Sequence, residues 1–137
     1  MSRRARSFVV IMIIIALSSL LLRYGAEKLI KVTMAQNESQ AQTNLKFIST
    51  ALENYAKDHL GAYPTELSLL SESNPPYLSK DYLNQPFLKG YDYSCSRLEA
   101  SGYSCSAVPI SCGLTGTLAY TISIEGLFIS EDCSKKE

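Results

Sequence analysis

The sequence predicts an α+β protein in which one long N-terminal helix, membrane-spanning in its first half and amphipathic in its second, packs on a small antiparallel β-sheet. Three observations carry this. Residues 8–22 (FVVIMIIIALSSLLL) contain no charge. Leu45, Ile48, Leu52, Tyr55 and His59 recur at spacings of three, four, three and four, the signature of one apolar helical stripe. After residue 90, apolar and polar residues alternate between Gly and Pro punctuation, as half-buried strands require.

The apolar run must sit in lipid or in a fully buried bundle. Its only polar residues, Ser18 and Ser19, can bond back to the helix. At about 1.5 Å of rise per residue it covers about 22 Å of a hydrocarbon layer roughly 30 Å thick, so the span borrows from its flank. Arg23 can snorkel while Tyr24, Ala26, Leu29 and Ile30 extend the apolar face, which predicts a crossing over 8–30. Upstream, Arg3, Arg4 and Arg6 stand without an acid among them, and such a basic flank stays cytoplasmic. This places 1–7 inside as a basic leader and everything beyond the span outside.

The helix is expected to continue over 31–60. Residues 36–44 (QNESQAQTN) are polar but free of Gly and Pro, and Gly25 is the natural place for a bend. Phe47 and Ala51 widen the stripe, while Lys46, Glu53, Asn54 and Lys57 fall on other faces. Gly61 supplies a C-cap and Pro64 forbids continuation.

The remaining residues, 61–137, suffice for one small head. Thr65 is expected to N-cap a short helix with Leu67, Leu69 and Leu70 turned inward, stopped by 71–76 (SESNPP). Residues 77–86 read as a loop anchored by Tyr77, Leu78, Tyr82 and Leu83. Strands are expected over 90–96, 102–108, 117–124 and 127–130. In this register Leu118, Tyr120, Ile122 and Ile124 share one face, with Leu127 and Ile129 opposite them across a tight turn.

Cys95, Cys105, Cys112 and Cys133 all fall in the part placed outside, and an even count there reads as two disulfides. Zinc would need closer spacing than these gaps provide, and the lone histidine, His59, is remote. Three pairings are open. Two strands around a turn at 97–102 would set Cys95 opposite Cys105, leaving Cys112 for Cys133.

Several function classes drop out. Net charge is zero, and without Arg3, Arg4 and Arg6 ten basic groups face thirteen acidic ones, so nucleic acid is no partner. With one histidine, no G-x-S-x-G and no phosphate loop, catalysis lacks its parts, and no cofactor is expected. Asp92, Glu125, Glu131 and Asp132 are scattered acids from which no calcium ligand set can be chosen. A cleaved secretory peptide is disfavoured because its best site, 24–26, puts bulky Tyr24 at −3. Arg6 stands where a twin-arginine signal needs an apolar residue, and no cysteine lies near the anchor to take a lipid. Seven of nine tyrosines lie between Tyr63 and Tyr120. They would make a sugar-stacking surface or, more plainly, strand and loop residues with hydroxyls in water. His59 beside Asp58 reads as a helix-end imidazole near the C-terminal dipole.

Basic residues, an apolar helix, its polar continuation into ALENYAKDHLGAYPTEL, then GYDYSCS and YTISIEGLF together resemble a type IV pilin or a type II secretion pseudopilin. The resemblance covers almost the whole chain and lies closest to the major-pseudopilin group over 52–67. It implies anchoring in the bacterial inner membrane with the head periplasmic or extracellular, and removal of the leader by a prepilin peptidase between Ser7 and Phe8. It also implies an assembly platform and stacking of like subunits into a filament. The surface for that stacking would be Phe8, Val9, Ile11, Met12, Ile14, Ile15, Leu17 and Leu21, with Leu45, Ile48, Leu52 and Tyr55 binding helix to head. The chain departs from the family at Ser7, where Gly is usual, and at Met12, where a glutamate would pair with a neighbour's N-terminal amine. Loss of that carboxylate points to a minor or initiating subunit, or to a divergent member that stays in the membrane. The alternative is a single-pass surface-binding module that does not polymerise.

Overall fold

The computed structural model describes residues 3–79 and 87–135, with side chains over 6–79 and 89–135. Met1 and Ser2 of the expected leader, and Tyr82 and Leu83 of the expected loop, lie outside the described residues. The chain forms helix α1 (Arg3–Asp58), a short helix α2 (Ser68–Glu72) and strands β1 (Phe87–Leu88), β2 (Tyr91–Glu99), β3 (Gly102–Pro109), β4 (Leu118–Ser123) and β5 (Leu127–Asp132). It divides into two compact units, Met1–Thr33 and Met34–Glu137.

Among the described residues the first unit is helix alone. From Phe8 to Leu22 every large apolar side chain is 51–75 % exposed. Ser18 and Ser19 return their hydroxyls to the carbonyls of Ile15 and Ala16 at 2.9 and 2.8 Å, which hides the only polar groups of the run. α1 runs through Gly25 without a break.

In the second unit, the five strands form one antiparallel sheet in sequence order. α1 lays Ala41, Asn44, Leu45, Ile48, Ser49, Ala51, Leu52 and Ala56 on it, all buried. The helix ends because Leu60 and Gly61 both take left-handed backbone conformations, at φ 58° and 86°, and the Gly61 amide closes on the Ala56 carbonyl at 2.7 Å. Tyr91, Tyr93, Tyr103, Cys105, Ala107, Tyr120 and Ile122 face the helix and complete the core.

Four sequence expectations need correcting. Phe47 is 55 % exposed and lies off the stripe, which Asn44 and Ser49 widen instead. α2 is preceded by Leu67 with no side-chain cap, so Thr65 is not its N-cap, and Leu69 points outward while Leu67 and Leu70 are buried. β1, too short to show alternation, was not expected. In β5 the register is shifted by one: Phe128, not Leu127 or Ile129, joins the core, paired with Ile122 and stacked on Tyr120 at 5.5 Å. The cause is the turn over Ile124–Gly126. Glu125 and Gly126 both have positive φ there, which absorbs a residue and turns Ile124, Leu127 and Ile129 outward.

Candidate functional site: the exposed helix and the tyrosine seam

Two features stand out from the fold, one in each unit. The first is the uncovered apolar helix. Ser7, Phe8, Val9, Ile11, Met12, Ile14, Ile15, Leu17 and Leu21 are all exposed on α1. α1 is long and apolar enough to cross a membrane. Beyond the run, Arg23 lies 3.9 Å from Glu27 and the Lys28 ammonium sits over the Tyr24 ring, so charges begin where the apolar face gives out.

The second feature is the seam between helix and sheet. Leu45, Ile48 and Leu52 are buried in it, and Tyr55 is partly covered at its end. Four tyrosines on β2, β3 and β4 enter it with their rings buried. Their hydroxyls are not in water, contrary to the sequence expectation. Asn44 donates to the Tyr93 hydroxyl at 3.0 Å, Gln42 donates to that of Tyr120 at 3.1 Å, and Ser49 shares a 2.8 Å bond with that of Tyr103. Tyr91 donates instead to the Leu118 carbonyl at 2.8 Å. This last bond requires Gly116, because a Cβ there would collide with the Tyr91 hydroxyl.

Glu53, expected on an outer face, closes the seam. Its carboxylate accepts from the hydroxyls of Tyr63 and Tyr103 and, at 3.1 Å, from the Glu125 amide in the β4–β5 turn. No buried side-chain nitrogen or oxygen among the described residues lacks a partner. Burial holds the Tyr103 hydroxyl up at about 12, with the neighbouring Glu53 adding to the shift, and burial pushes Tyr91 and Tyr120 up as well. These are proton-holding hydroxyls built for cohesion, unsuited to acid–base work at neutral pH. The sequence did carry a signal for them: Tyr91 and Tyr93 sit two apart and so share a sheet face with Cys95.

At the helix end His59 stacks on Tyr55 with ring centroids 3.8 Å apart, and its Nδ1 lies 2.8 Å from the Tyr55 carbonyl. Tyr77 donates to Asp58 at 2.6 Å, and that bond is the main reason its hydroxyl is held above the ordinary tyrosine value. The ring and the carboxylate are thus each occupied by a tyrosine or the helix end, without a nucleophile between them.

Cys95 bonds Cys105 across β2 and β3, and Cys112 bonds Cys133. This is the pairing the hairpin favoured: the two strands meet through residues 100–101, with Cys95 directly opposite Cys105 and one bulge residue just beyond. Among the described residues one grouping has metal-ligand atoms close together: Cys112, Asp132 and Cys133. Both sulfurs are spent in the disulfide, and Asp132 accepts from the Ser134 hydroxyl and amide, which holds its pKa below the ordinary carboxylate value. The group is a cross-link and a turn.

No known protein family matches the chain, and no curated protein matches it either. Among solved structures it is similar to the non-core minor pilin PilV of Neisseria meningitidis, with a TM-score of 0.50 and 14 % identity over 78 % of this chain and 94 % of that one. The fold is therefore type IV pilin-like.

Proposed function

We propose that this protein is a pilin-type structural subunit, held in the bacterial inner membrane by α1 and assembled through that helix with like subunits into a type IV pilus or type II secretion pseudopilus. The observation that carries the reading is the pilin-like fold joined to a helix whose large apolar side chains over 8–22 are more than half exposed. In a bilayer such a helix gains little from burying grease against grease. Its association rests on close packing and shape fit. Arg3, Arg4 and Arg6 keep the N-terminus cytoplasmic, and a prepilin peptidase removes the leader between Ser7 and Phe8. Met12 leaves the assembling helix without a carboxylate, which suits a minor or initiating position rather than the repeated body of a filament.

The sugar-stacking alternative loses its support, since four of the tyrosines that suggested it are buried in the seam. The test is to purify the protein from its native membrane, sequence its N-terminus and crosslink it in place. Phe8 as first residue and crosslinks from positions 11 or 14 to a sister chain or another pilin are expected. An intact Met1 on a protein that never crosslinks through α1 would discard the proposal.

A further inference from the structure

We propose that the loop joining β3 to β4, tipped by Ile110 and Leu114, rests in the lipid headgroup layer of the membrane that α1 enters; this rests on the reading of 8–30 as a membrane span. The two side chains are 51 % and 56 % exposed. No charged residue occurs between Glu99 and Glu125, so the loop can leave bulk water without stripping a charge.

The tip is also set in place before any contact. The amides of Leu114 and Thr115 donate to the Ser111 carbonyl at 3.1 and 2.9 Å, the Gly113 amide donates to the Gly116 carbonyl at 2.8 Å, and Cys112 is tied to Cys133. Little ordering remains to oppose docking.

The chain fixes where this tip is carried. Asn37 donates to the Thr115 carbonyl at 3.0 Å, and the Glu38 carboxylate accepts from the Thr117 amide and hydroxyl, each at 2.8 Å. Asn37 follows Ile30, the end of the span, closely in sequence. Helical rise puts it about 10 Å along the chain, and even full extension allows no more than about 25 Å. The headgroup layer fills roughly the first 5–7 Å of that interval. Leu114, next to Thr115, is therefore tethered beside the layer, whereas Leu60, fully exposed near Lys57 and Asp58, is tied to the other end of the buried helix segment.

Lipid suits the tip better than a protein partner. Two aliphatic side chains fall far short of the roughly 1,000 Å² that a stable protein interface needs, but an anchored head already faces its bilayer at high effective concentration. Glu38, Glu131 and Asp132 flank the loop and its disulfide and are offset by Lys89 and Lys135, so the surroundings carry little net charge and zwitterionic headgroups suit the tip.

The chain contains no tryptophan, which makes the test direct. Full-length Leu20→Trp, Leu114→Trp and Leu60→Trp variants are placed in phosphatidylcholine vesicles with lipids brominated either near the headgroup or deep in the acyl chain. Deep lipids should quench Leu20→Trp. Leu114→Trp should emit to the blue and be quenched by the shallow lipids, with Leu60→Trp unaffected by either. Should Leu114→Trp misfold, Ile110→Trp reads the same tip. If position 20 is quenched while the loop tip behaves like position 60, whether both are dark to lipid or both quenched, the contact is overturned and the span stands. If position 20 is not quenched, the span reading falls and takes this contact with it.

Discussion

Helix α1 is apolar over 8–22, where its side chains are exposed, and admits polar side chains to the face it buries in the second unit. Over 8–22 its exposed surface is Ile, Val, Leu, Met and Phe, whereas in the second unit its covered face includes Asn44 and Ser49, at 1 % and 5 % exposure, with Gln42 and Glu53 at the margins. The difference teaches that what a helix buries is set by what receives it. Lipid offers no hydrogen bond and demands an apolar surface. A sheet that presents tyrosine hydroxyls demands acceptors and donors in return, since an unpaired buried hydroxyl costs about 1–3 kcal/mol.

The comparison can be broken from either side. Leu52→Ala in the seam should cost about 2–5 kcal/mol of head stability, read as a lower urea midpoint, and leave membrane insertion unchanged. Ile14→Arg should do the reverse. It places a charge in the span at a cost of about 2.5–3.5 kcal/mol, so the membrane-bound fraction should fall while the thermal midpoint of the head stays put. If either variant damages both properties equally, the two regions are not independent. A smaller effect sharpens the polar side of the contrast: Gln42→Ala removes the partner of the Tyr120 hydroxyl and should cost about 1 kcal/mol, whereas Thr43→Ala, exposed on the same helix, should cost little.

The smallest effect at neutral pH appears only in alkali. Tyr103 and Tyr91 hold their protons more tightly in the folded head than in the unfolded chain, because burial disfavours tyrosinate. Their contribution is intact below pH 10.0, the ordinary tyrosine value, and is lost as pH climbs through about 12, where the unfolded chain has already released its protons. Tyrosinate absorbance and circular dichroism should therefore change together for these residues. Ionisation of all the tyrosines near pH 10.0 with the head still folded would show that the hydroxyls are not sealed in the seam.

Much of this was legible in the residues. The uncharged run, the spacing of Leu45, Ile48 and Leu52, the left-handed Gly61 and the hairpin that joins Cys95 to Cys105 are local patterns, and each is found where its pattern places it. What escaped depended on distant partners. Nothing in the spacing of Glu53 announces that Tyr63, Tyr103 and the Glu125 amide converge on it from positions remote in sequence. β5 failed for a narrower reason. Alternation gives the faces of a strand only after the preceding turn is counted correctly, and two positive φ angles at Glu125 and Gly126 changed that count by one.

A cylinder of leucines can roll in its groove at modest cost, but one pegged through Gln42, Asn44, Ser49 and Glu53 cannot. Turning it by a single residue step, about 100°, would withdraw every peg at once. The head must therefore swivel together with that stretch of helix as one body, and torque applied to the stretch is delivered to the strands instead of being dissipated between them.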